Sequence, residues 1–137
     1  MHPLWQLKQI NTFQGMRHVD RNMTFGSRSA PKIWCSFFGL VIWIAIHVLA
    51  CVDLLHYMDD TWSYETDPAL VYYKRYDSHF PKKQATLLLL YNHLGLPHTK
   101  NKQIFRHALD IIGLHVDPSS MSITMPLLAL QELVTTI

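Results

Sequence analysis

The run from Ile33 to Val52 is apolar except at Ser36, Gly39 and His47, and it gives way at Asp53 to a short segment ending in Asp59-Asp60. A stretch of this length is about the roughly 20 residues that a bilayer-spanning helix needs. A helix apolar on all sides equally suits the centre of a soluble core. The junction is what constrains the fold. Paired carboxylates must meet water or a cation, and no interfacial spacer separates them from the apolar run. The sequence therefore predicts a core helix beginning at Ser29 or Ala30, roughly four to five turns long, ending near His47. A break follows, with Val52 to Tyr57 extended. The alternative is a single-pass membrane protein with Ile33–Val52 as its transmembrane helix.

The segment after the junction reads as a hairpin. Leu54 to Tyr57 and Thr61 to Tyr64 are strand-forming runs, and Met58 to Asp60 fall at the turn between them. Trp62 and Tyr64 would share one face, with Asp59 and Asp60 exposed at the tip. Two carboxylates side by side repel each other, so the tip favours a divalent cation with oxygen ligands, Mg²⁺ or Mn²⁺. An Asp-Asp pair in a solvated turn is the plain structural reading.

Composition narrows the class. The chain has 137 residues, 49% of them hydrophobic and 16% charged, which fits one globular or membrane-associated domain and excludes a disordered chain. A formal charge of +2 permits nucleic acid binding without requiring it. Cys35 and Cys51 both lie in the apolar run, with neither disulfide-framework nor zinc spacing, so a reducing, intracellular setting is expected. The nine histidines form no His-Glu-x-x-His pattern. Met1-His2-Pro3 opens without the charged-then-apolar pattern of a secretion signal.

The flanks supply further elements. Leu4 to Phe13 and Met16 to Asp20 read as strands around Gln14-Gly15, although Trp5, Leu7 and Ile10 also fit one helical face. Phe25 to Pro31 is a small-residue loop: Gly26 permits close backbone approach, Ser27 or Ser29 can cap a helix, and Pro31 suits its first turn. Such a loop could contact phosphates, or be only a helix start. Glu65 to Phe80 reads as a polar, aromatic loop in which Tyr72, Tyr73 and Tyr76 pack over the core or stack on bases. Pro81 opens a helix with Gln84, Leu87, Leu88, Tyr91 and Leu94 on one face and Gly95 as C-cap. Ile111 to Val116 reads as a strand, Asp117 to Ser120 as a turn, and Met121 to Met125 as the returning strand. Pro126 starts a helix with Leu127, Leu130, Leu133 and Val134 on one face.

In this order the segments resemble the palm of reverse transcriptases. Tyr57-Met58-Asp59-Asp60 is similar to the family's active-site hairpin, and Phe25-Gly26 with Pro31 to its second palm motif, with Ala30 where Ser is usual. Leu94 to Phe105, containing Lys102-Gln103-Ile104-Phe105, resembles the fourth motif, and Ile112-Gly113-Leu114 with the following hairpin resembles the primer grip. Val19-Asp20-Arg21 and the Ile112 to Asp117 block look most like retrotransposon enzymes, the tyrosine-recombinase type among them. The resemblance implies an α+β palm-like fold: a small antiparallel sheet carrying the hairpin, with packed helices, and without fingers or thumb. By segment, it places a strand hairpin in 1–25, a Gly loop and apolar helix in 26–50, and the Asp-Asp hairpin in 53–65. It continues with a helix in 81–95, a primer-grip-like hairpin in 109–125 and the start of a helix in 126–137.

The same resemblance implies RNA-directed DNA synthesis by two-metal nucleotidyl transfer. Asp59 and Asp60 would be catalytic metal ligands for Mg²⁺ or Mn²⁺. Tyr57 would face the primer end, Met58 would be a further substrate-binding residue, and Gly26 and Pro31 would shape the nucleotide pocket. Lys102 would neutralise phosphate or donate a proton, unless it is a solvated loop lysine. Ile112, Gly113 and Leu114 would hold the primer. The partners would be an RNA or DNA template-primer and a deoxynucleoside triphosphate. The family's first motif places a further Asp on a strand beside the hairpin, and Asp20 lacks that motif's context. His2-Pro3 looks like the segment just after it, so the chain is expected to be a fragment. Its carboxylate pair would bind metal weakly and be inactive alone unless another chain completes the site.

Overall fold

The computed structural model describes residues 10–19 and 28–136. Among the described residues, three helices and four small antiparallel sheets make an α+β architecture. Strands β1 (Ile10–Phe13) and β2 (Met16–Val19) pair across Gln14-Gly15, where both residues hold positive φ. The remainder of the two strand-like runs expected around that turn, and Asp20, Gly26 and Ser27, lie outside the described residues.

Helix α1 spans Ala30–His47, with Pro31 in its first turn. Phe38, Val41, Ile42 and Ala45 recur on one stripe and are its buried residues. The apolar run continues to Val52, yet the helix stops earlier, at the expected place. Ala50 takes φ 54, and the Cys51 N–H reaches back to the Ala45 carbonyl at 2.9 Å. This return bond in a left-handed terminus ends a helix even when apolar residues follow. The extended segment then begins at Leu54 rather than Val52, because Asp53 is also left-handed, with φ 61.

Strands β3 (Leu54–Tyr57) and β4 (Asp60–Ser63) form a ribbon in which Leu54 faces Ser63 and Tyr57 faces Asp60. The loop is therefore the two residues Met58-Asp59, one shorter than the sequence suggested. Asp60 opens β4, and Tyr64 lies beyond its end. Glu65 to Phe80 is not simply a loop. Strands β5 (Leu70–Tyr73) and β6 (Ser78–Pro81) pair within it, joined by a 3₁₀ turn at Lys74–Tyr76 and a left-handed Asp77.

Helix α2 (Lys82–Leu94) begins after Pro81 and ends at Gly95, whose φ of 70 is the C-cap geometry. It serves two cores. Leu87 and Leu90 join Phe38, Val41, Ile42, Ala45, Cys51 and Leu54, while Ala85 and Leu88 join Tyr73 and Phe80. The expected face holds at Leu87 and Leu88, and Tyr91 packs half-buried against the first cluster, but Leu94 is exposed.

Strands β7 (Leu109–Ile111), β8 (Leu114–Asp117) and β9 (Ser122–Thr124) form a three-stranded meander. The single strand expected over Ile111 to Val116 is divided, because Ile112 and Gly113 both take positive φ and turn the chain. Met121, with φ 51, belongs to the next turn. Helix α3 (Leu127–Thr136) follows Pro126, and its Leu130 and Val134 are exposed. The expected single small sheet is thus replaced by four separate sheets among the described residues.

Candidate functional site

The β3–β4 register sorts the ribbon into two faces. Leu54, His56, Thr61 and Ser63 face the helices: Leu54 is buried, the His56 ring meets Phe38 edge-on, and Thr61 Oγ1 lies 3.3 Å from Tyr91 Oη. Leu55, Tyr57, Asp60 and Trp62 share the opposite face, and Leu55 and Tyr57 are more than half exposed.

At the tip, Met58 holds φ 55 while Asp59 is not among the positive-φ residues. Positive φ at only the first of two loop positions is the II′ pattern, whose usual first residue is Gly. A methionine there carries backbone strain on the order of 1 kcal/mol. The Cys35 thiol lies 3.5 Å from the Met58 sulfur and ties the tip to α1. Asp59 and Asp60 are both exposed, as expected of a hairpin tip.

Both carboxylates line an open cleft of about 1740 Å³ between the ribbon, α2 and the β7–β9 meander. Lys102, Ile112 and Leu114 line the same cleft, so five of the residues singled out from the sequence are on its wall. Arg106 and His107 line it too. Lys102 sits in a 3₁₀ turn, Lys100–Lys102, whose last turn is held by the Gln103 N–H on the Lys100 carbonyl at 3.0 Å. Tyr57, Met58, Pro31 and Gly113 are not part of the cleft wall, and Gly26 is outside the described residues. Trp34 lines the cleft and its indole Nε1 is buried without an acceptor, a cost normally offset by a partner.

The donor set meets a divalent ion only in part. Among the described residues no group of three or more His, Cys, Asp or Glu is placed to hold a metal. A hydrated Mg²⁺ needs only one or two carboxylates with waters and phosphates. The two-metal arrangement needs more, so the carboxylates present do not fit it.

Sequence reasoning missed a cluster beside the cleft. Tyr76 Oη bonds His98 Nδ1, Arg75 Nη1 donates to Asn92 Oδ1 at 2.7 Å, and Lys100 Nζ donates to the Tyr76 carbonyl at 2.8 Å. Burial lowers the His98 pKa below its ordinary value, and the nearby Arg75 lowers it further; burial raises that of Tyr76. Lys74-Arg75 and Lys100 had signalled only loops, and nothing local in the sequence joins them. No protein-family model, curated protein or solved structure matches the chain.

Proposed function

We propose that this chain is a remnant or piece of a retroelement reverse-transcriptase palm, whose parent activity was RNA-directed DNA synthesis. The observation that supports the reading is the shared cleft, whose wall includes Asp59, Asp60, Lys102, Ile112 and Leu114. Carboxylates that attract a cation and a lysine that attracts phosphate are the charge pattern a metal-bound nucleotide needs. Asp59 and Asp60 would hold Mg²⁺ or Mn²⁺ weakly, and template-primer would lie along the cleft. With no further carboxylate grouped beside the pair among the described residues, the isolated chain is expected not to extend a primer. Positioning is of little use without an activated nucleophile.

The test is Mn²⁺ titration followed by amide NMR, with primer extension on an RNA template alongside. Paramagnetic broadening should centre on residues 57–61 and vanish in Asp59→Asn/Asp60→Asn, with no extension by either form. Broadening elsewhere overturns the palm reading. Extension that disappears with Asp59→Asn shows instead that the site is complete.

A second reading has one observation in its favour. Helix α1 is long and apolar enough to cross a membrane, and Ile33, Leu40 and Trp43 on it are each more than half exposed. Against that, its buried stripe and the Cys51 and Leu54 that follow belong to one core cluster with α2. Alkaline carbonate should release the expressed chain from membranes, and retention would favour the spanning helix.

A further inference from the structure

The cluster around His98 has a donor pattern that the carboxylate site does not use. Arg75 Nη1 lies 3.4 Å from His98 Nε2, and Tyr76 Oη contacts the other ring nitrogen. A guanidinium can only donate, so Nε2 is the acceptor and Nδ1 carries the proton, donating it to Tyr76 Oη. The tyrosine's own hydroxyl proton is thereby left for an outside acceptor. The imidazole is fixed among Tyr73, Tyr76 and Tyr91, with ring centroids 6.3, 5.4 and 6.2 Å away.

The hydrogen-bonding capacity left over in this frame is donor in kind: the remaining Arg75 N–H groups, the Tyr76 hydroxyl proton and the Lys100 ammonium. Their partners Asn92 and the Tyr76 carbonyl are neutral, so neither positive charge is cancelled. Among the described residues the ion pairs are Lys83–Asp53 and His115–Asp110, which involve neither cation. Asp77, the nearest acid in sequence, accepts from Tyr72 Oη at 2.8 Å. His98 is kept neutral at pH 7 by burial and by Arg75, and adds no third charge. Such a set is complementary to an oxyanion with several lone pairs. Of this cluster only His98 is on the wall of the cleft of Asp59 and Asp60; Arg75, Tyr76 and Lys100 lie beside it, outside that wall.

We propose that Arg75, Tyr76 and Lys100, fixed around His98, form a metal-independent site for a backbone phosphodiester of a single-stranded nucleic acid. The choice of a polynucleotide rests on the palm reading; the donor arrangement stands apart from it.

The experiment is fluorescence anisotropy of a fluorescein-labelled oligothymidylate with the whole chain in EDTA, across 50 to 200 mM NaCl. Each cation removed from a phosphate of a single strand lowers the log–log salt slope by about 0.7, so Arg75→Gln/Lys100→Gln should lower it by about 1.4. Affinity at the lowest salt should fall at least tenfold. Tyr76→Phe keeps the ring and removes only the hydroxyl, so binding should weaken several-fold with the near-ultraviolet circular dichroism unchanged. If the double variant fails to fold, the tyrosine variant and the His98 titration decide. A bound phosphodiester favours the imidazolium, so oligonucleotide should raise the His98 pKa seen by NMR. An unchanged slope, or full binding by Tyr76→Phe with His98 unmoved, overturns the proposal. EDTA-resistant binding through these residues, with no Mn²⁺ broadening at the hairpin tip, would remove the palm reading and leave this site standing.

Discussion

Helix α2 holds two cores together, and Leu88→Ala tests that arrangement directly. Leu88 is 1% exposed and packs with Tyr73, Phe80 and Ala85, whereas its neighbour Leu89 is 56% exposed. Loss of three buried carbons costs roughly 2 kcal/mol by transfer alone. A cavity adds to this wherever the surroundings cannot collapse, and Leu→Ala in cores spans about 2–5 kcal/mol. Here the lining is aromatic: Tyr73 and Phe80 meet edge-to-face at 6.3 Å, and Tyr76 crosses both. Rings pinned in this way relax little, which places the cost at about 3–4 kcal/mol. That is a large share of the roughly 5–15 kcal/mol that stabilises a domain. Leu89→Ala deletes the same atoms from a largely solvated position and should cost less than about 0.5 kcal/mol. Urea denaturation compares the two, and amide exchange locates the loss. Protection should fall first in β5, β6 and the loop carrying His98, while β3–β4, anchored by Leu54 in the other cluster, keeps its own. Costs within about 1 kcal/mol of each other, or equal loss of protection in β3–β4, would refute the two-core argument.

Two further outcomes follow from backbone and charge. At Met58, φ 55 makes Gly a better replacement than Ala: Met58→Gly should exceed Met58→Ala in stability by about 1 kcal/mol in urea denaturation, the reverse of the order within a regular strand. His98 has a folded-state pKa below the ordinary 6.5, so the unfolded chain binds more protons. Its contribution is therefore complete above pH 6.5 and is lost as pH falls through the lower folded value. Thermal melts between pH 7.5 and 5 should show that loss, and His98→Gln should flatten it.

The parts of the fold legible in the sequence were those with a local cause. The long apolar run and the Pro31 start marked α1, and Gly95 marked the end of α2. The hairpin at Asp59 followed from two strand-forming runs separated by a short polar step. The turns that the sequence concealed lack the usual residues. Ile112 is β-branched yet takes φ 50, so strand propensity across Ile111 to Val116 hid the reversal that Gly113 alone announced. Asp77 plays the part of a turn glycine at φ 46, and Val71-Tyr72-Tyr73 was the strand signal beside it. The His98 cluster joins residues 17 to 24 positions apart, and no periodicity encodes such a meeting. Side-chain chemistry at the cleft was readable where one short segment carries it, as in Asp59-Asp60, and unreadable where packing assembles it.

The β3–β4 ribbon is short of both structural cover and acidic ligands. Two-stranded ribbons are marginal alone, and this one is supported on a single face by Phe38 and Tyr91. Its other face leaves Leu55 and Tyr57 more than half exposed beside Asp60. The same neighbourhood lacks, among the described residues, a further carboxylate grouped with the pair. Under the palm reading one structural addition answers both: a strand laid along the ribbon edge would shield the apolar residues and carry the acid that shares the cation. A strand that supplied only apolar cover would stabilise the ribbon without tightening Mn²⁺ binding. One that supplied an Asp at the level of Asp60 would do both, because two opposed carboxylates hold a hard cation better than adjacent ones. The two effects are separable by adding a peptide strand with Asp or with Asn at that position. Cation affinity should follow the acid, and protection of β3–β4 amides should follow the strand.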